Sequence, residues 1–68
     1  MKIEIAKDKD GYIAKVSGWK HLFAFGFTKQ EALEELTGVV ELELESDTDI
    51  WKITKKINEC LLKLKHAD

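Results

Sequence analysis

The spacing of apolar residues changes along this chain from the period of a strand to the period of a helix, and the change falls at Thr28. Before it, Ile3 and Ile5 alternate with polar residues, as in a half-buried strand. After it, apolar residues recur within one arc of a helical wheel. This order predicts an α+β fold in which a sheet is followed by helices.

Three short antiparallel strands are predicted before Thr28. Residues 1–7 form the first, and residues 8–11 read Asp-Lys-Asp-Gly, a turn in which Gly11 can take positive φ. Residues 12–16 complete a β-hairpin. After a connection over residues 17–20, residues 22–27 predict a third strand. This strand carries three aromatic side chains on one face, Phe23, Phe25 and Phe27.

Two helices are predicted after the strands. Thr28 and Glu31 form a capping box, in which the hydroxyl accepts from the N–H of residue 31 and the carboxylate reaches back to the N–H of residue 28. The first helix should run from Thr28 to about Leu44, although the alternation over residues 41–45 also suits a strand. Capping residues at 46–49 predict a second helix over about Ile50 to Lys65.

The length of 68 residues predicts a single domain, with a core over residues 1–45 and a C-terminal helical extension over residues 46–68. A domain of this size buries only about 60% of its unfolded surface, and the lone Cys60 cannot form an internal disulfide. We therefore expect a homo-oligomer, a dimer or a tetramer. Ile3, Ile5 and the phenylalanines leave surplus apolar surface for it. The predicted oligomer interface comprises Phe23, Phe25, Phe27, Trp51 and Leu62.

Charge is distributed unevenly, although the formal net charge is only −2. Residues 31–49 carry acids without any Lys or Arg, whereas residues 52–65 are rich in Lys. Because positive and negative charges nearly cancel, the protein as a whole has no positive electrostatic potential that would attract nucleic acid. We therefore do not expect direct nucleic-acid binding. The alternative left open is a small oligomeric nucleic-acid-binding or structural protein that uses the Lys face of the second helix, Lys52, Lys55, Lys56 and Lys63.

Neither a membrane span nor an apolar signal segment is present in the sequence, which predicts a cytoplasmic protein. His21, Cys60 and His66 do not have the spacing of a metal site. Glu4 and Glu31 could hold Mg²⁺ only if the fold brought them together, and a cap or a solvated surface explains them more simply. We therefore predict no enzyme activity, no metal and no cofactor.

The phenylalanines of the third strand admit two interpretations. Aromatic side chains on a strand can stack on the bases of single-stranded RNA, but such platforms need nearby Lys or Arg to hold phosphates. The third strand contains no basic residue. A buried or interface stripe is therefore the favoured interpretation.

Residues 8–45, DKDGYIAKVSGWKHLFAFGFTKQEALEELTGVVELELE, resemble the HicB-like antitoxin family. Residues 10–12 match the family's hairpin turn and Val16 the end of its second strand. Gly26 and Thr28 match its G-x-T entry to the helix, and residues 31–33 match the EAL that opens it. The family's loop commonly contains two prolines and a cysteine, which residues 16–22 lack, and Phe27 replaces a usually polar residue.

The resemblance implies a truncated RNase-H-like β-β-β-α-β core without catalytic carboxylates, which binds and neutralises a small basic toxin ribonuclease, HicA. The family would place a fourth strand after the first helix, whereas the caps at residues 46–49 favour a helix here. What remains of the chain is too short for the DNA-binding domain that many members carry. The resulting hypothesis is an antitoxin-type protein with a HicA-like ribonuclease as its partner.

The predicted partner-binding surface combines acidic helix residues with the connection before the third strand. An acidic helix could mask the positive surface by which a ribonuclease holds RNA. Trp19 is either a binding anchor or an aromatic folded back over the core edge, and both interpretations stay open. The predicted residues are Trp19, Lys20, His21, Glu34, Glu35 and Glu41.

Overall fold

The computed structural model, which describes residues 2–66, begins with a β-hairpin of β1 (Ile3–Lys7) and β2 (Tyr12–Val16). The strands are antiparallel, with Ile3 opposite Val16 and Lys7 opposite Tyr12. The N–H of Asp8 donates to the carbonyl of Gly11 at 2.8 Å and closes the turn. The predicted hairpin is confirmed, with β1 beginning at Ile3; Met1, its predicted first residue, lies outside the described residues.

Strand β3 (Phe23–Gly26) pairs antiparallel with β2, so the sheet has the order β1-β2-β3. It is one residue shorter at each end than the predicted residues 22–27. Leu22 belongs to the turn before the strand, where its N–H donates to the carbonyl of Trp19 at 3.3 Å. Phe27 lies in the short connection before the first helix. The three-stranded antiparallel sheet with two following helices confirms the α+β class.

Helix α1 (Lys29–Glu43) begins at the predicted capping box. The hydroxyl of Thr28 accepts from the N–H of Glu31 at 3.0 Å. The Glu31 carboxylate, however, accepts from the N–H of Phe27 at 3.3 Å and not from that of Thr28 as predicted. Leu44 has extended backbone angles, so the helix ends one residue before it. The buried residues of α1 are Ala32, Leu33, Leu36 and Val40.

The Thr28 cap provides a direct test of how α1 begins. Replacement of Thr28 by alanine should lower the free energy of unfolding by about 1 kcal/mol, because the N–H of Glu31 loses its acceptor. Thr48→Ala is the matched control, since Thr48 is exposed in the first turn of the next helix. Urea unfolding followed by circular dichroism measures both. Equal stability of the two variants would contradict a capping role for Thr28.

Helix α2 (Asp47–His66) follows α1 after a short connection. It begins at Asp47 and not at about Ile50, because Ser46 is its cap. The Ser46 hydroxyl accepts from the N–H of Asp49 at 3.4 Å, and the Ser46 carbonyl accepts from the N–H of Ile50 at 3.0 Å. The prediction of a helix here in place of a fourth strand is confirmed. Neither described helix is long and apolar enough to cross a membrane.

Both helices lie on the same face of the sheet. Helix α1 packs on β3 and β2, while α2 packs on α1 and touches the edge of β1. Ile3 and Ile5 point into this covered face and pack against the core. The sequence predicts that Ile3 and Ile5 add surplus exposed surface, and this expectation is wrong because both side chains pack against the core. The buried core combines residues from sheet and helices, namely Ala14, Val16, Leu22, Ala24, Ala32, Leu33, Leu36, Val40, Ile53 and Ile57.

Candidate protein-binding surfaces

The acidic residues of α1 lie on its solvent side. Glu34, Glu35 and Glu41 are all exposed, as the helical wheel predicted from their position opposite the apolar arc. The Glu34 carboxylate accepts a hydrogen bond from the amide of Gln30 at 3.3 Å. Among the side chains that the structure describes, the ion pair found within 4.0 Å is Lys56–Glu59, at 3.9 Å, on α2. Within the described part of the chain, the acids of α1 thus form no ion pair.

Glu35, Glu41 and Glu43 do not help α1 to form. Glu31 and Glu35 are four residues apart, where like charges repel by a few tenths of a kcal/mol. Glu41 and Glu43 lie in the last turns, where the helix dipole disfavours negative charge, and no basic residue occupies the last turn. Local helix stability therefore does not explain the acidic surface, whereas a positively charged partner would relieve both sources of repulsion.

The connection between β2 and β3 is a tight turn that exposes its polar tip. Gly18 has a φ of +87°, and the N–H of Trp19 donates to the carbonyl of Val16 at 3.1 Å. Lys20 and His21 are exposed, while Leu22 returns the chain to the core. Trp19 keeps 37% of its surface in water, so the ring is neither free nor buried. It lines a shallow groove together with Glu4, Lys15, Ser17 and Gly18.

The groove beside the loop and the acids Glu34 and Glu35 lie on opposite faces of the sheet. Glu4 and Lys15 are paired on the face of the sheet that the helices leave open, so the groove beside Trp19 opens towards that face. Glu34 and Glu35 project from a helix on the opposite face. Glu41 lies nearer the loop, since α1 runs back along β3 after the short connection at residues 27 and 28. The structure therefore supplies two candidate surfaces where the sequence predicted one.

The open face of the sheet carries the exposed aromatic stripe. Phe23, Phe25 and Phe27 point away from the helices, and Ile13 lies opposite Phe25 in the register. The rings of Phe25 and Phe27 meet edge to face, with centroids 5.6 Å apart. The stripe is thus an exposed apolar surface and not part of the helix-covered core.

The two apolar residues predicted on the second helix lie elsewhere. Trp51 and Leu62 are exposed on the outer side of α2 and share a shallow groove with Thr54 and Asn58. The ammonium group of Lys55 lies 5.1 Å from the centroid of the Trp51 ring. Because α2 covers the other face of the sheet, this groove is separate from the phenylalanine stripe. The residues predicted as one oligomer interface therefore belong to two surfaces.

The lysines of α2 are exposed, as predicted. Lys56 and Lys63 share a groove with Lys2 from the start of the chain, a proximity that sequence reasoning missed because it joins opposite ends of the sequence. Glu59 and Cys60 line the same groove, so the patch is not purely basic. The exposure of Leu42 was also not predicted. It is 86% exposed on α1, and its position 180° around the helix from the buried Leu33 could have indicated this.

The candidate metal ligands are not brought together. Glu4 lies on the open sheet face, whereas Glu31 lies in the first turn of α1 and accepts from the N–H of Phe27. His21 is exposed in the loop and Cys60 is half-buried in α2. The side chain of His66 lies outside those that the structure describes. Among the side chains of residues 2–65, no group of at least three His, Cys, Asp or Glu residues could hold a metal ion.

The motif residues on which the family resemblance rests converge at one junction of the fold. A Cβ atom at Gly11 would lie 2.4 Å from the carbonyl oxygen of Gly26, and one at Gly26 would lie 2.3 Å from the backbone nitrogen of Ala32. The hairpin turn, the end of β3 and the first turn of α1 thus touch through backbone atoms. Comparison of the chain with protein-family models, curated proteins and solved structures gave no match.

Proposed function

We propose that this chain is an antitoxin-type protein of the HicB-like kind, which binds a small basic ribonuclease and blocks it. The observation that carries the proposal is the acidic surface of α1, defined by Glu34, Glu35 and Glu41, which is exposed and forms no ion pair within 4.0 Å among the described side chains. An RNA-binding enzyme presents a positive surface that this helix complements. In the proposal, the helix occupies the surface on which RNA would bind.

The backbone junction of Gly11, Gly26 and Ala32 supports the family relationship within this proposal. If the three matching segments resembled the family only by chance, they would not be expected to lie in contact with one another. Here the turn, the G-x-T segment and the EAL segment need small residues at the same place, because their backbones touch. We accordingly propose that β1, β2, β3 and α1 are a truncated RNase-H-like core, on which α2 replaces the family's fourth strand.

The test is association with a HicA-like ribonuclease from the same source, measured by surface plasmon resonance at several salt concentrations. The triple variant Glu34→Lys, Glu35→Lys and Glu41→Lys should stay folded, because all three side chains are exposed. Its association rate constant should fall at least about tenfold at low salt, and its salt dependence should shrink or reverse, since steering by opposite charge is lost.

A matched control separates the local surface from the net charge. The triple variant Asp8→Lys, Asp10→Lys and Glu59→Lys makes the same change in net charge at exposed positions away from α1 and from the groove beside Trp19. It should associate much faster than the α1 variant. Equal rates for the two variants would show that α1 is not the binding surface. Failure of the unmodified chain to bind and inhibit the ribonuclease at micromolar concentration would contradict the antitoxin function itself.

The second candidate function is nucleic-acid binding through α2. The observation in its favour is the groove in which Lys2, Lys56 and Lys63 come together. Glu59 in the same groove and the net charge of −2 oppose it. Tight binding of RNA or DNA by the isolated chain, weakening steeply with added salt, would favour this function over the first.

A further inference from the structure

The free edge of β3 exposes backbone hydrogen-bonding groups. Alternate residues of an antiparallel strand bond to opposite sides. The N–H of Val16 donates to the carbonyl of Leu22 at 3.0 Å, and this bond determines which residues of β3 have their backbone groups directed towards β2. The backbones of Leu22, Ala24 and Gly26 therefore face β2, and those of Phe23 and Phe25 point to the free edge. No strand within residues 2–66 pairs with that edge, since β3 ends the sheet.

This edge is short, but it lacks the charge, proline and bulge that often prevent strands from pairing. Edge strands are commonly protected by charged side chains, proline or a bulge. Residues 21–28 contain no Lys, Arg, Asp, Glu or Pro, and the pairing with β2 is continuous. The opposite edge differs, because β1 carries Glu4 and Lys7, Lys2 precedes it, and α2 touches it. The two edges of the sheet are therefore not equivalent.

The exposed edge is short and has defined ends. The N–H of Phe27, the next outward-facing group, already donates to the carboxylate of Glu31 at 3.3 Å. At the other end, the turn at Trp19 and Leu22 closes the strand. An added strand can thus pair with Phe23 and Phe25 only. Each of these residues offers one N–H and one C=O.

We propose that β3 pairs with β3 of a second copy of this chain to form a continuous six-stranded antiparallel sheet. The two-fold axis passes between the two Ala24 residues, so that Phe23 of each copy pairs with Phe25 of the other. This proposal does not rest on the antitoxin function, because it concerns the chain alone. It assigns the dimer interface to β3 and leaves Trp51 and Leu62 outside it.

Charge and symmetry identify a second copy as the occupant. A two-fold axis at an edge brings like residues close to one another, which would cause repulsion if the strand were charged. Strand β3 is uncharged, so it can meet its own copy without this cost. The aromatic side chains also match, because Phe23 and Phe25 of both copies lie on the same open face and become cross-strand pairs.

The helices leave room for this pairing. Helix α1 packs on β2 as well as β3, so its axis lies inside the free edge. Strands pair about 4.8 Å apart and packed helices lie about 8–10 Å apart, so the two α1 helices fit side by side when each axis lies about 2 Å or more inside its own β3.

A stable dimer interface must bury both the free edge of β3 and the three phenylalanine rings. Phe23, Phe25 and Phe27 are 56%, 43% and 67% exposed, which amounts to roughly 300 Å² per chain if each side chain presents about 200 Å². A stable interface takes about 800 Å² per partner. The rings alone supply less than half of this, so stacking of two open faces would be weak. Pairing of the two β3 edges adds to this area the buried backbone of β3 and the contact between the two α1 helices.

The test compares Phe23→Ala with Phe23→Pro by sedimentation equilibrium from micromolar to near-millimolar concentration. Alanine removes the ring but keeps the outward N–H, whereas proline removes both. Proline is tolerated at the first residue of an edge strand, and Phe23 is the first residue of β3. The unmodified chain should be a dimer. The proline variant should have a dissociation constant about tenfold or more above that of the alanine variant, because each copy loses a hydrogen bond across the edge.

Two controls keep the proposal falsifiable. Leu62→Ala, on the outer side of α2, should leave the dimer intact. Amide exchange of the unmodified chain gives a readout that does not depend on a folded proline variant. The amide protons of Phe23 and Phe25 should become protected as protein concentration rises. A monomer throughout, a dimer in which these amides stay unprotected, or dissociation by Leu62→Ala alone would each overturn the proposal.

Discussion

Replacement of Gly26 by alanine should remove a large part of the stability of this chain, with a loss of about 3 kcal/mol. The added Cβ would lie 2.3 Å from the backbone nitrogen of Ala32 and 2.7 Å from its Cα. Backbone atoms cannot rotate away, so α1 would have to move off β3. A domain of this length has only about 3–10 kcal/mol of stability in total. Urea and thermal unfolding followed by circular dichroism should therefore show a much smaller folded population.

Gly38 supplies the matched control for this substitution. It lies within α1, and a Cβ there would meet no atom within 4 Å. Gly38→Ala should therefore stabilise the chain by about 0.5–1 kcal/mol, since alanine loses less backbone freedom in a helix than glycine does. If Gly26→Ala were as stable as the unmodified chain, α1 would not be held against β3 as closely as described.

The second large effect is expected at Ile57. This side chain is fully buried, and it packs from α2 into the same core as Leu33 and Leu36 of α1. Ile57→Ala should cost about 2–5 kcal/mol, because it leaves a cavity at the contact between the helices. Unfolding should remain a single transition in urea, since α2 shares its core with the sheet and α1.

Leu62→Ala serves as the control for Ile57→Ala. Leu62 lies on the same helix but is 55% exposed, so its truncation should change stability by no more than about 0.5 kcal/mol. A two-step unfolding curve for Ile57→Ala, in which α2 is lost first, would contradict the single cooperative unit. It would show instead that the sheet and α1 fold without α2.

The order and type of the elements could be predicted from the sequence because local signals agree with packing. Strand β2 has the predicted bounds, and the predicted Thr28 caps α1, which begins one residue later at Lys29. The alternation over residues 41–45 suits either a helix end or a strand, and the burial of its leucines distinguishes the two. In a strand, Leu42 and Leu44 would share a face, whereas in the structure Leu42 is exposed and Leu44 packs against the core. Leu42 lies on the helix opposite the buried Leu33, whereas Leu44 follows the end of the helix in an extended conformation.

The sequence could not show which face of the sheet the helices cover. The phenylalanine stripe is more apolar than the other face of β3, which carries Ala24 and Gly26. The helix nevertheless covers the small residues, because α1 approaches the sheet so closely that its backbone touches Gly26. Large rings would not fit in that space and lie on the open face. The same unknown orientation explains why the loop at Trp19 and the acids of α1 were predicted as one surface.

The sequential order of the sheet has a kinetic consequence. Each strand pairs with its neighbour in the chain, and α1 packs mainly on the strand that precedes it. Such contacts close short loops at little entropic cost, which is the condition for rapid folding. The contact between α2 and β1 joins the two ends of the chain and carries the largest closure cost. Pairing can thus proceed from the N-terminus towards the C-terminus, in the order in which a ribosome delivers these elements.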